Sequence, residues 1–334
     1  MRAFFDPRQR DHAPALELHN GAFVPFAESG ARADAILAAI GGAEPAIDHG
    51  EEPLRAVHDE AYLAFLWAAH KDWRAAGREG DAIGYAWPVV RRRALSLERI
   101  DARFGRFSMD ASSPVAAGTW DSAYWSAQAA LTALDAVLAG ERAAFALCRP
   151  PGHHCGADYL GGYCYLNSAA IAAEAAVAAG RRVAILDVDY HHGNGTQDIF
   201  YARGDVFFAS LHADPRTDYP FFWGHEDETG EGEGEGATLN LPLPRGTDLA
   251  AYLPALDTAL ARIAGFAPEL LIVSYGADTF SGDPISQFRI ETADYEVIAR
   301  RIAGLGLPTL VVMEGGYAID ALGANVASFL GGLE

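Results

Sequence analysis

The chain has 334 residues, 50% hydrophobic and 21% charged with 35 glycines, a globular composition that excludes large-scale disorder. Its formal net charge of −20 argues against a nucleic-acid partner, because phosphate binding needs a basic face, and suits a cationic substrate better. Cys148, Cys155 and Cys164 form no CxxC pair, which speaks against a disulfide framework or a thiolate zinc site. With neither a signal-peptide core nor a long apolar run, the expected setting is the cytoplasm, with no membrane span.

The first clear feature along the chain is an irregular stretch from about Pro88 to Gly118 that carries Arg91, Arg92 and Arg93. A loop of that length in a compact domain is usually functional or disordered. Beyond it, short apolar runs alternate with alanine-rich helical stretches. A helix near 121–139 leads to a strand at 143–148, and a helix at 167–179 to a strand at 182–188. A strand at 206–211 precedes EDETGEGEGEG (226–236), which is too glycine-rich and acidic to pack a core and reads as an exposed loop. Helices at 249–264, 292–304 and 319–330 then alternate with strands at 270–275 and 309–314. The strands are nearly all apolar, as a sheet covered on both faces requires, and several helices open on Asp, Asn or Thr caps. The pattern predicts one three-layer α/β domain over 1–334, with a central, mainly parallel sheet flanked by helices.

Polar residues gather where the apolar runs end, and in open parallel sheets ligands bind beyond the carboxyl ends of strands. The four richest ends are RPPGHH (149–154), DVDYHHGNG (187–195), GADTFSGD (276–283) and EGGY (314–317). Asp187, Asp189 and His191 fall at i, i+2 and i+4, so an extended backbone turns them to one side. A catalytic zinc site takes three nitrogen or oxygen ligands, and Asp189, His191 and Asp278 supply them, leaving Asp187 to orient a histidine. His153 and His154 follow Pro150, Pro151 and Gly152; adjacent imidazoles in a cleft suit the base that water attack needs and the acid that a leaving amine needs. Tyr317, behind two glycines, can present a phenol to a developing oxyanion.

In this order and spacing the four motifs resemble the histone deacetylase family, of arginase-like α/β fold. The resemblance implies zinc on Asp189, His191 and Asp278, with ferrous iron as an alternative metal, and Tyr317 as oxyanion donor. His154 becomes general base and acid, and His153, paired with Asp187, an electrostatic support. Asn194 stands where many members carry an aspartate behind the second histidine, as in the class II and bacterial branches. A potassium ion near Asp187, Asp189, His191, Ser210 and Leu211 is also implied.

MRAFFDPRQR, RAVHDEAYLAFL (55–66) and GTW (118–120) look like the bacterial acetylpolyamine amidohydrolase branch. There, an inserted loop before GTW contributes to homodimerisation and narrows the active-site tunnel; the 88–118 stretch occupies that place. The same likeness puts Gly162, Tyr163 and Tyr219, with Phe222 nearby, along a tunnel that clasps an alkyl chain. The branch can place a glutamate near Ser112 to meet the substrate's distal ammonium. That place is not acidic here, and Asp110 is the nearest carboxylate. The implied substrate is a small acetylated amine. The competing readings are a protein N-acetyl-lysine deacetylase, a non-catalytic binding protein, and a binuclear ureohydrolase, which would want a further carboxylate where Gly276 or Phe280 stands.

Overall fold

The computed structural model describes residues 1–88 and 97–334; Arg91, Arg92 and Arg93 lie outside the described residues. Its strands are β1 (Arg2–Phe5), β2 (Leu16–His19), β3 (Ala22–Pro25), β4 (Glu44–Pro45), β5 (Ala143–Ala146), β6 (Val183–Asp187), β7 (Val206–Ala213), β8 (Thr238–Leu243), β9 (Leu270–Tyr275) and β10 (Thr309–Met313). Eight of them form one sheet in the order β4-β1-β5-β10-β9-β6-β7-β8, every pairing parallel, while β2 and β3 make a separate antiparallel hairpin. The helices are α1 (Ala31–Ile40), α2 (Glu52–Arg55), α3 (Glu60–Ala75), α4 (Ile100–Phe107), α5 (Thr119–Leu138), α6 (Ser168–Ala178), α7 (Asn194–Phe200), α8 (Leu249–Phe266), α9 (Thr292–Ala303) and α10 (Ile319–Leu333).

The three-layer expectation holds, and the alternation of side chains explains it. Phe5, Phe145, Ala184, Leu186, Leu271, Val273 and Val311 join one core with residues of α1, α8, α9 and α10. Their neighbours Phe4, Ala144, Ala146, Val183, Ile185, Leu270, Ile272, Leu310 and Val312 face the other way, onto the alanines of α5 and α6. Small side chains on those two helices let them lie close against the strands. A third cluster joins α3, α4 and the start of α5, with Phe65 stacked on Phe107 at 4.9 Å and edge-on to Phe104 at 5.0 Å.

The 88–118 stretch is therefore not irregular throughout. Ile100, Phe104 and Phe107 are the buried side of α4, whose eight residues are too few to announce a period. The acidic segment is largely exposed as expected, yet Gly230 and Gly234 are buried. Its Glu228 carboxylate accepts from Gly224 N at 2.8 Å and Gln197 Nε2 at 2.7 Å, so this end of the loop is tied to the fold.

Candidate metal centre and active site

Strands β5, β10, β9 and β6 are consecutive neighbours in the sheet. The four polar segments that leave their carboxyl ends therefore meet, although up to 168 positions separate them in sequence (149 to 317).

Asp189, His191 and Asp278 converge there, with one ligand atom from each lying within 4.8 Å of the others. His191 Nδ1 is 3.0 Å from Asp278 Oδ2 and 3.4 Å from Asp189 Oδ1. Ligands held about 2 Å from a tetrahedral ion stand about 3.3 Å apart, so the donor set fits a zinc-sized cation. Backbone N–H groups aim the carboxylates: Gly315 N donates to Asp189 Oδ2 at 2.8 Å, His191 N to Asp189 Oδ1 at 2.8 Å and Tyr190 N to Asp278 Oδ1 at 2.9 Å. Gly276 and Gly315 permit this approach. A Cβ on Gly276 would sit 1.9 Å from Asp189 Oδ2, and one on Gly315 2.5 Å from Asp278 Oδ2. Burial and then repulsion from Asp189 push the Asp278 carboxyl up to about 7. Burial alone would lower the His191 imidazole, but hydrogen bonds and attraction from the two carboxylates lift it to about 10. These buried groups call for a cation between them.

The adjacent histidines have opposite surroundings although their rings lie only 4.0 Å apart. His153 Nδ1 meets Asp187 Oδ2 at 2.9 Å, and Asp187 with Asp189 outweighs burial and raises that imidazole to about 10. His154 Nδ1 meets the neutral Asn194 Oδ1 at 2.7 Å; burial and then the charge of His153 hold it well below the usual range, hence uncharged.

His154, His191 and Tyr317 share a cavity of about 290 Å³ with Gly162, Tyr163, Tyr219, Asp110 and Ser112. Burial holds the Tyr317 phenol far above its ordinary range, so it stays a proton donor. Gly162 has φ of +53°, and a Cβ there would lie 2.2 Å from His154 Cδ2, so the wall needs glycine at this point. Two tunnel expectations change. Phe222 is 80% exposed and stands outside the cavity, and it is Phe221 that lines it. Asp110 lines it too, but its carboxylate already accepts from Gly162 N at 2.9 Å, Tyr219 Oη at 2.7 Å and Ser112 Oγ at 2.9 Å. As for the residues considered for potassium, Asp187 pairs in register with Ser210 of β7, next to Leu211, and Ser210 Oγ lies 2.8 Å from His212 Nδ1.

A histone deacetylase domain model matches residues 28–333. The chain belongs to the histone deacetylase family. It is 50% identical to acetylpolyamine amidohydrolase 1 of Pseudomonas aeruginosa, over 100% of this chain and 99% of that protein. It is 46% identical to the acetylpolyamine amidohydrolase of Mycoplana ramosa, with the same coverage. The crystal structure of an acetylpolyamine aminohydrolase from Burkholderia pseudomallei superposes with a TM-score of 0.95 at 43% identity, covering 100% of this chain and 98% of that one. Histone deacetylase family members are in general metal-dependent amide hydrolases, and Asp189, His191 and Asp278 are possible metal-binding groups in this one.

Several residues that shape this deacetylase-family site were given no role from sequence, although Asp283 and Glu314 lie in two of the four strand-end motifs. Asp283 Oδ2 accepts from Tyr317 N at 2.7 Å and so sets the height of the phenol. The buried Glu314 carboxylate holds the histidine loop, accepting from Gly152 N at 2.7 Å, His153 N at 3.1 Å and Ser274 Oγ at 3.2 Å. Leu18, His19 and Asn20 of the β2–β3 hairpin complete the cavity rim. Cys164 lies with His153 and Glu314 in a second buried group, but burial pushes its thiol far up, and Glu314 and His153 are already hydrogen-bonded elsewhere.

Proposed function

We propose that this chain is a zinc-dependent deacetylase of small acetylated amines, acetylpolyamines such as acetylputrescine, acetylcadaverine or acetylspermidine, releasing acetate and the free amine. The observation that carries the reading is a single cavity bordered by the His191 side of the carboxylate pair, an uncharged His154 and a protonated Tyr317. Relatives matched end to end and named for acetylpolyamines support the substrate class. Zinc, or ferrous iron, held by Asp189, His191 and Asp278 would supply Lewis acidity toward the acetyl carbonyl and the attacking water. His154 takes the proton of that water through Nε2 and returns it to the departing amine nitrogen. Tyr317 donates its phenolic hydrogen to the carbonyl oxygen as negative charge builds there. His153, kept cationic by Asp187, stabilises that charge from behind. Tyr163, Tyr219 and Phe221 enclose the alkyl chain in a passage suited to a slender amine.

The same reading includes a potassium ion beside Asp187 and Ser210, a homodimer formed through the 88–118 segment, and a cytoplasmic location. Hydrolysis of acetylputrescine, acetylcadaverine, acetylspermidine and acetyl-lysine peptides by zinc-loaded protein tests it, together with metal analysis. Turnover confined to peptides would replace the small-amine reading with a protein deacetylase. Two transition-metal ions per chain would contradict the mononuclear centre, and no carboxylate stands at Gly276 or Phe280 to hold a second.

A further inference from the structure

Among the described residues two carboxylates line the cavity that holds His154 and Tyr317, Asp110 and Asp218, and both are already engaged. Asp218 Oδ1 accepts from Tyr190 Oη at 2.8 Å and Arg245 Nη2 at 3.1 Å, and its Oδ2 from Thr217 Oγ1 at 2.7 Å and Arg245 Nε at 2.8 Å. The Arg245 guanidinium thus balances its charge. Asp110 is tied to the cavity wall through Gly162, Tyr219 and Ser112. A monoacetylated diamine brings a positive charge at the far end of its alkyl chain, and the cavity has to meet that end with something else.

The rings of the 219–221 segment grow more exposed with distance from the metal ligands. Tyr219 packs edge-on to His154 at 5.1 Å and to His191 at 6.0 Å, and is partly buried. Phe221 lies 6.3 Å from Tyr219 at 78° to it, lines the cavity and is 50% exposed. An extended four- or five-carbon diamine separates its nitrogens by roughly 6–8 Å. With the amide at His154, the ammonium therefore clears Tyr219 and reaches the level of Phe221.

Phe221 also holds a φ of +63°, a left-handed state that residues with a Cβ avoid. Its N–H donates to the Asp218 carbonyl at 3.2 Å, and its own carbonyl lies 3.1 Å from His225 Nε2, so the segment is fastened on both sides of the ring. Backbone strain persists where its surroundings impose it, and it gathers at ligand sites. A half-exposed phenylalanine gains little from burial, but its ring face is electron-rich and attracts a cation lying within about 6 Å of the centroid.

We propose that Phe221 is the specificity residue for the distal ammonium, which it binds against its ring face with Tyr219 as the adjoining wall. The inference rests on the small-amine reading above and assigns its charge selectivity to an aromatic ring, where the place near Ser112 offers no acidic side chain.

The test compares acetylputrescine with N-pentylacetamide, which has the same chain length without the charge, on zinc-loaded full-length protein. Phe221→Leu keeps the apolar contact and removes the ring face, so the ratio of kcat/KM on the charged amide to that on the neutral one should fall about twofold to fivefold. Phe222→Leu, on the neighbouring ring outside the cavity, should leave the ratio unchanged. Mono-, di- and trifluorinated phenylalanine at position 221 keep the shape of the ring while draining its face of charge, and should lower the ratio stepwise. Equal losses on both amides, a fluorine series without a trend, or an equal effect from Phe222→Leu overturns the proposal. Calorimetric titration of metal-free protein with the same two amides gives the corresponding ratio of affinities without turnover. A wild-type enzyme inactive on both amides would strike at the proposed substrate class, while the affinity ratio would still decide the role of Phe221.

Discussion

Replacing Asp110 separates two roles that the sequence left merged. If its carboxylate were reserved for the distal ammonium of a polyamine, it would stand open to the cavity; it is instead bonded to two walls of that cavity. It accepts from Gly162 N at 2.9 Å, beside His154, and from Tyr219 Oη at 2.7 Å, whose ring packs edge-on to His154 at 5.1 Å. Hydrogen bonds to a charged group contribute about 1.5–3 kcal/mol each, so losing both sets an upper bound of roughly 3–6 kcal/mol. Asp110 is only half-buried, and water can replace part of this, which brings the expected loss to about 2 kcal/mol, or roughly 30-fold in kcat/KM, for Asp110→Ala. Asp110→Asn can keep its oxygen toward Gly162 and Tyr219 and surrender only the 3.1 Å bond from Ser112 N, so it should lose about threefold to tenfold. The assay compares acetylputrescine with N-pentylacetamide, which has the same chain without the charge. Wall positioning predicts equal losses on both. A loss confined to the charged substrate would refute the reasoning and return Asp110 to the ammonium.

Tyr317→Phe should lower kcat by roughly 30- to 1000-fold, the 2–4 kcal/mol of an oxyanion donor, with metal content unchanged; undiminished turnover would remove Tyr317 from the chemistry. Zinc at about 100 times its dissociation constant should stabilise the fold by about 2.7 kcal/mol. For 334 residues the unfolding entropy is about 0.7 kcal/mol/K, so Tm should rise by roughly 4 °C, and Asp278→Asn should diminish that shift in differential scanning calorimetry. His153, raised from 6.5 to about 10, keeps a proton when folded that it loses when unfolded. Its contribution is complete below pH 6.5 and is lost as pH rises toward 10, so urea midpoints of metal-free protein should fall steadily between pH 7 and 9.5; a flat profile would contradict the His153–Asp187 ion pair.

Strand β9 matches its expected limits residue for residue, because LLIVSY is an unbroken apolar run with both faces covered. Strands β1 and β8 did not announce themselves. RAFF is four residues with an arginine at its head, and TLNLPL is an edge strand with only partial burial along its length. The metal trio was legible as a set of strand-end residues, but their meeting depends on the order β5-β10-β9-β6, which no local pattern encodes. Charges buried by long-range contacts were the least legible. Arg149 is buried with its guanidinium bonded to the carbonyls of Gln9, His12 and Glu28, and Arg32 is buried against Glu28 and the carbonyl of Gly316. RPPGHH places Arg149 at a strand end, but its partners lie 121 to 140 residues away and no local pattern discloses them. Phe221 rather than Phe222 lines the cavity, and its φ of +63° is a backbone state that sequence does not disclose for phenylalanine.

The charges of the site impose an order on its chemistry. Asp187 and His153 close as a pair, so that imidazolium is committed and cannot serve as the base. Asp189, Asp278 and His191 close only with a cation among them, whether the proton that holds His191 charged or a metal that displaces it. His154 faces Asn194, where a carboxylate would have made it a second committed imidazolium, and its ring remains uncharged beside two cationic neighbours. A neutral amide at position 194 thus keeps the base basic but gives up the orientation that a carboxylate would impose.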